Sequence, residues 1–120
     1  MAETVIWHNP RCSKSRETLN LLRDRGVDPR VRLYLEDAPS VAEIGSALAA
    51  LGRPAGDLVR WKEPAVRDLG LTRFMPEAEL IAALAATPAL IERPLVLHDG
   101  KAALGRPPEA VLSLFQLRGD

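Results

Sequence analysis

The stretch Thr4-Val5-Ile6-Trp7-His8-Asn9-Pro10-Arg11-Cys12-Ser13-Lys14-Ser15-Arg16 decides the fold. Its first four residues are β-branched or aromatic, and Asn9-Pro10 follows them, which predicts a strand running into a loop. From Ser13 to about Arg25 the apolar positions Leu19 and Leu22, with Leu21 beside them, lie on one face, and Gly26 stops the pattern. That is a helix with a defined end. Cys12 therefore sits where the loop becomes the helix.

Further along, Val31, Leu33 and Leu35 alternate with Arg32, Tyr34 and Glu36. Period two predicts a second strand with the leucines on its buried face. Ser40 precedes a helix and Glu43 lies three residues on, the spacing of a capping box. The predicted core face of that helix is Val41, Ile44, Leu48 and Leu51, and Gly52 ends it. Short helical pieces are expected near Gly56–Val59 and Pro64–Leu69. Pro76 then opens a helix carrying Leu80, Ile81 and Leu84, with Pro88 beyond its end. Leu95-Val96-Leu97 and Ala102-Ala103-Leu104 flank Asp99-Gly100, a hairpin turn pair. Pro107 or Pro108 opens a last helix with Val111, Leu112 and Phe115 facing inward. The order β-α-β, several helices, then β-β-α predicts an α/β fold with a thioredoxin-like mixed sheet. One domain is expected over 1–120, with a helical insertion at about 40–86. Fold by itself assigns no function.

Sixteen basic and sixteen acidic residues leave no formal net charge. The cations are spread along the chain, so no basic patch of the kind that grips nucleic acid is expected. The apolar runs are short, and Ile81 to Ala86 is too brief to cross a bilayer. The N-terminus lacks a basic segment followed by an apolar one, so no secretory signal is read and a cytoplasmic location is expected. The expected state is a monomer. There is a single cysteine, which excludes an internal disulfide and a Cys-rich zinc site. Any redox cycle through it must draw on a thiol of another molecule.

Unpaired backbone N–H groups at a helix start carry a partial positive charge. A cysteine there has a depressed pKa and the same loop can cradle an oxyanion. Cys12 occupies that position, with Arg11, Lys14 and Arg16 around it. Read alone, it is equally a structural cysteine; position and basic flanks favour a nucleophile. An imidazolium at His8, four residues earlier, would favour the thiolate. The Ser15 hydroxyl is placed either to donate to the thiolate or to serve the first helical turn. His98, at the hairpin, reads as a surface residue. Arg60 ends an apolar stretch, while Arg93 and Arg106 each precede a proline at an element boundary. Guanidinium groups on loops are suited to forked binding of oxyanions, although spacing does not show that they converge.

The segment His8 to Arg16 resembles the active-site loop of the glutaredoxin-coupled arsenate reductase (ArsC) family. Leu33-Tyr34-Leu35-Glu36 resembles the family's second strand. Arg60 leads a segment ending Asp68-Leu69-Gly70-Leu71, and Ile91-Glu92-Arg93-Pro94-Leu95-Val96 and Leu104-Gly105-Arg106-Pro107-Pro108-Glu109 resemble its two closing motifs. The resemblance runs from Val5 to Phe115. It implies that Cys12 attacks arsenate, that Arg60, Arg93 and Arg106 hold the oxyanion, and that His8 tunes the thiol. It further implies glutathione as co-substrate and glutaredoxin as partner, with no bound metal or organic cofactor. By the same resemblance the Arg93–Pro94 peptide is expected to be cis.

Two other readings use the same residues differently. A general glutathione-dependent oxidoreductase or deglutathionylase would need Cys12 but not all three arginines. A regulator resembling the polymerase-contacting Spx branch of the superfamily would carry a Cys-x-x-Cys switch. Here positions 9 and 15 are Asn and Ser, so neither spacing from Cys12 supplies the second thiol.

Overall fold

The structure, a computed structural model, describes residues 3–115. Four strands form one sheet in the order β2-β1-β3-β4. They are β1 (Thr4–Trp7), β2 (Arg30–Arg32), β3 (Leu95–His98) and β4 (Lys101–Leu104). β1 runs parallel to β2 and antiparallel to β3, which pairs antiparallel with β4. This is the mixed thioredoxin-like sheet. Four helices accompany it: α1 (Ser13–Asp24), α2 (Val41–Leu51), α3 (Pro64–Asp68) and α4 (Glu77–Ala86). Short 3-10 turns cover Ala55–Leu58 and Pro88–Leu90.

Alternation along the strands divides the core between two faces. Ile6 and Val96 point towards Leu19 and Leu22 of α1 and Val111 and Leu114 near the C-terminus. Trp7 and Leu95 point the other way, into a cluster with Ile44 and Leu48 of α2 and Leu80 and Leu84 of α4. The segment read as an insertion thus shares its core with the sheet. Among the described residues no helix is long and apolar enough to cross a membrane.

Local chemistry sets the element ends. Ser40 Oγ accepts from Glu43 N at 3.0 Å, and Glu43 Oε1 accepts from Ser40 N at 2.9 Å. The capping box is complete. Glu43 also takes a forked pair from Arg32, at 2.7 and 3.2 Å, and that hydrogen bond chiefly holds its carboxyl down at about 2. Gly52 closes α2 in the left-handed region, at φ 70°. Asp99 and Gly100 both take positive φ, 51° and 78°, as the tight hairpin requires.

Several expectations are corrected. The second strand stops at Arg32 instead of running on to Glu36. Its register partner Trp7 is the last residue of β1; beyond it only His8 N reaches across, to Arg32 O at 2.8 Å. The chain then turns, with Glu36 N and Asp37 N both donating to Leu33 O. The turn reverses the predicted faces, so that Tyr34 is fully buried and Leu35 is exposed. In α2, Val41 lies outside the core and Ala47 inside it. Pro76 caps α4 from outside its first turn. The last helix is a 3-10 helix, Pro108–Phe115. Its tighter winding buries Leu114 beside Val111 while Leu112 and Phe115 are only partly covered.

Candidate active site

Cys12 is the N-cap residue of α1, in extended backbone conformation, and its thiol is half-buried and free. The loop before it is wired from within. Cys12 N donates to Asn9 O at 3.0 Å, Arg11 N to Asn9 Oδ1 at 3.0 Å, and Arg16 Nη1 to Pro10 O at 2.8 Å. Asn9 and Arg16 are thus the loop's fasteners. No cap hydrogen bond of full geometry forms to the sulfur, yet the N–H groups of Ser15 and Lys14 face it. Burial pushes the thiol up, but the Ser15 N–H, the Arg93 guanidinium and the Lys14 N–H together bring it below its ordinary value. Helix start and cation both act, as expected. The cation is Arg93, brought in from the start of β3, and none of the basic side chains adjacent in sequence.

His8 and Ser15 have parts different from those expected. His8 Nδ1 lies 2.6 Å from Ser15 Oγ, and Asn9 N donates to the same oxygen at 3.0 Å. The Ser15 hydroxyl is therefore occupied by the loop; its backbone N–H, not its side chain, serves Cys12. His8 is buried, and burial, then Arg23 and Arg16, lower its pKa. Near neutral pH it is an uncharged imidazole that fastens β1 to α1, in place of the expected imidazolium beside the thiolate. His98 is also less exposed than expected: its Nδ1 lies 2.8 Å from Thr4 Oγ1, and its ring packs 4.5 Å from Phe115.

The three arginines are brought together by two short pairings. Val59 and Ile91 form an isolated antiparallel bridge, in which Arg60 N donates to Leu90 O and Glu92 N to Leu58 O, each at 2.7 Å. This sets Arg60 beside Glu92. Gly105 N donates to Pro94 O at 2.9 Å, and Arg106 Nη1 to Arg93 O at 3.1 Å, which sets Arg106 on the Arg93 loop. A Cβ at Gly105 would collide with the side chain of Thr18 and come within 2.7 Å of Pro94, so only glycine permits this approach. Arg93–Pro94 is cis, as expected, and Arg106–Pro107 is cis too. Arg93 alone of the three borders the thiol. Arg60 and Arg106 share a carboxylate: Glu92 Oε1 is 3.3 Å from Arg60 Nη1 and 3.7 Å from Arg106 Nε.

Two site residues escaped the sequence reading. Glu92 stands directly before Arg93 in the sequence, and an acid next to a candidate clamp arginine is the signal for its place between Arg60 and Arg106. Tyr34 falls on the outer face of the predicted second strand. It lies instead against the site, with Arg93, Cys12 and Arg60 as its charged surroundings. Among the described residues no group of three or more His, Cys, Asp or Glu is placed to hold a metal ion.

A thioredoxin-like sheet with one cysteine at the start of its first helix, faced by an arginine before a cis-proline, defines a thiol-bearing protein of that fold. The chain belongs to the ArsC family, whose model matches residues 7–114. An arsenate reductase of Haemophilus influenzae is 44% identical over 113 residues, 92% of this chain and 97% of the relative. An uncharacterized Escherichia coli protein, YfgD, is 50% identical over 114 residues, 93% of this chain and 96% of the relative. The solved structure of an arsenate reductase from Vibrio cholerae superposes with a TM-score of 0.90 at 46% identity, covering 93% of this chain and 97% of that one.

Proposed function

We propose that the chain reduces arsenate to arsenite, with Cys12 as nucleophile and Arg60, Arg93 and Arg106 as the oxyanion clamp. The observation that carries this reading is the meeting of a helix-start thiol with Arg93, whose carbonyl in turn holds Arg106. The names of relatives at 43–44% identity point the same way. Arsenate, like phosphate, carries roughly one and a half to two negative charges near neutral pH. A thiolate can approach it only if forked cations and N–H groups offset the repulsion.

In the proposed sequence a sulfur–arsenic bond forms at Cys12 as one arsenic–oxygen bond breaks, the oxygen leaving as water. Glutathione displaces a second oxygen, again as water. A glutaredoxin thiolate then attacks the glutathione sulfur, and the electron pair of the broken sulfur–arsenic bond passes to arsenic. As(V) becomes As(III), the products being a glutaredoxin–glutathione mixed disulfide and, after hydrolysis, arsenite and free Cys12. The two electrons come from two external thiols, which the single cysteine requires. The reading needs no metal or bound organic cofactor and no nucleic acid, and it describes a cytoplasmic monomer.

A second reading, a general glutathione-dependent oxidoreductase, is favoured by one observation: two of the three arginines are already paired with Glu92. A coupled assay with arsenate, glutathione, glutaredoxin, glutathione reductase and NADPH, comparing wild type with Cys12→Ser, decides between them. Arsenate-dependent NADPH oxidation lost in the variant supports arsenate reduction. Turnover of glutathione mixed disulfides with no response to arsenate supports the second reading and overturns the first.

A further inference from the structure

Tyr34 is fully buried, and among the described residues its hydroxyl makes no hydrogen bond of full geometry; the Arg93 guanidinium beside it can only donate, so the phenolic proton has no acceptor. Arg93 Nε is in the same condition. Leaving a buried donor unmade is costly, so native structures seldom tolerate it without a reason. Here the two orphans belong to neighbouring side chains: the Arg93 guanidinium lies beside the Tyr34 phenolic oxygen, with Cys12 and Arg60 close enough to act on it electrostatically. If Tyr34 only filled the core, phenylalanine would fill it as well without an unpaired hydroxyl. Around it lie Trp7, Ile44, Leu58 and Leu95, an apolar wall that supplies no acceptor.

We propose that the Tyr34 hydroxyl is an additional hydrogen-bond donor to the tetrahedral oxyanion held at Cys12, acting together with Arg93 Nε. This rests on the anion-clamp reading above and adds to it a neutral donor that comes from the turn after β2. Burial raises the phenol's pKa, so the hydroxyl keeps its proton and can donate to an oxygen throughout the neutral range. A disulfide substrate offers sulfur atoms and no such oxygen. Tyr34 would therefore favour oxyanions over glutathione mixed disulfides at the same thiol.

The test uses phosphate and sulfate, which are tetrahedral and unreactive towards thiols, as probes. The alkylation of Cys12 by neutral iodoacetamide is followed while either anion is titrated, in wild type and in Tyr34→Phe, alongside thermal melts. Protection of the wild-type thiol is expected. In Tyr34→Phe the protecting concentration should rise roughly ten- to a hundredfold, the loss of one hydrogen bond to a charged group. The rate without anion serves as each protein's own reference, and the Tm of Tyr34→Phe should be equal to or above that of wild type. Arg93→Lys, which keeps the charge but removes Nε, should weaken protection as well. If wild type and Tyr34→Phe are protected equally, the role of Tyr34 is overturned while the anion clamp stands. If neither anion protects wild-type Cys12, the clamp itself falls and this proposal with it. A Tyr34→Phe protein with lower Tm and undiminished anion affinity makes the hydroxyl a core feature and also overturns the proposal.

Discussion

Glu92 Oε1 lies 3.3 Å from Arg60 Nη1, so a carboxylate of the protein holds a cation that the proposed reaction needs for its substrate. An incoming oxyanion must share or displace this partner. Glu92→Gln should lower the arsenate concentration needed for half-maximal turnover. Partly exposed pairs contribute about 0.2–1 kcal/mol, which corresponds to a gain of up to roughly fivefold. Steady-state kinetics with arsenate checks this, and an unchanged or higher KM would show that Glu92 orients the arginines instead of competing for them.

The Cys12 thiol should titrate below the ordinary value of about 8.5, as followed by thiolate absorbance. Arg93→Gln should raise the midpoint, because its guanidinium is the cation that favours the thiolate. His8→Ala should leave it nearly in place, since His8 acts on the loop through Ser15. A shift in the histidine variant equal to that in the arginine variant would contradict this division.

Replacing Arg60 or Arg106 by alanine should cost about 1.5–3 kcal/mol of anion binding in the transition state, or roughly ten- to a hundredfold in arsenate turnover. Alkylation of the thiol by a neutral reagent should be nearly untouched in both. Arg93→Ala should impair both reactions. Lysine at any of the three should restore activity only in part, because it lacks the fork. Wild-type arsenate turnover in all three alanine variants would remove the clamp.

Burial lowers the pKa of His8, whereas in the unfolded chain it titrates near its ordinary value of about 6.5. The folded form therefore binds fewer protons just below that pH. This contribution to stability is present above about pH 6.5 and is lost as pH falls towards the folded pKa. Urea midpoints measured from pH 7 to pH 5 should fall more steeply for wild type than for His8→Asn. Parallel slopes would rule the contribution out.

Gly105→Ala should destabilise the fold by about 1–3 kcal/mol, the usual cost of overpacking, and lower the Tm by several degrees. The added methyl must push apart Thr18 of α1 and Pro94, and Arg106 moves with the loop. Arsenate turnover should fall more than thiol alkylation. A variant as stable and as active as wild type would mean that the contact relaxes freely.

Where the sequence was legible, the signal was local. Ser40 with Glu43 specifies a cap within four residues, and Asp99-Gly100 specifies a hairpin within two; both stand as read. Cys12 at a helix start was equally local. What failed depended on distant partners. The alternation from Val31 to Glu36 suits a strand, but a strand needs a neighbour, and β1 ends at Trp7. That is why Tyr34 turned inward. The choice of Arg93 over Arg11, Lys14 or Arg16 as the thiol's cation likewise depends on how β3 lies beside β1, which no short spacing encodes. Glu92 gained its meaning only when the Val59–Ile91 bridge brought Arg60 to it.

The hairpin of β3 and β4 carries Arg93 at one foot and Arg106 at the other, while its turn is the exposed pair Asp99 and Gly100. Four residues of strand separate foot from tip, about 13 Å of rigid ladder. The tip is therefore a port for engineering. A fluorophore attached there, or a short peptide spliced between Asp99 and Gly100, would be held away from the thiol and its arginines, and would turn the protein into a tethered or optical reporter of its own chemistry.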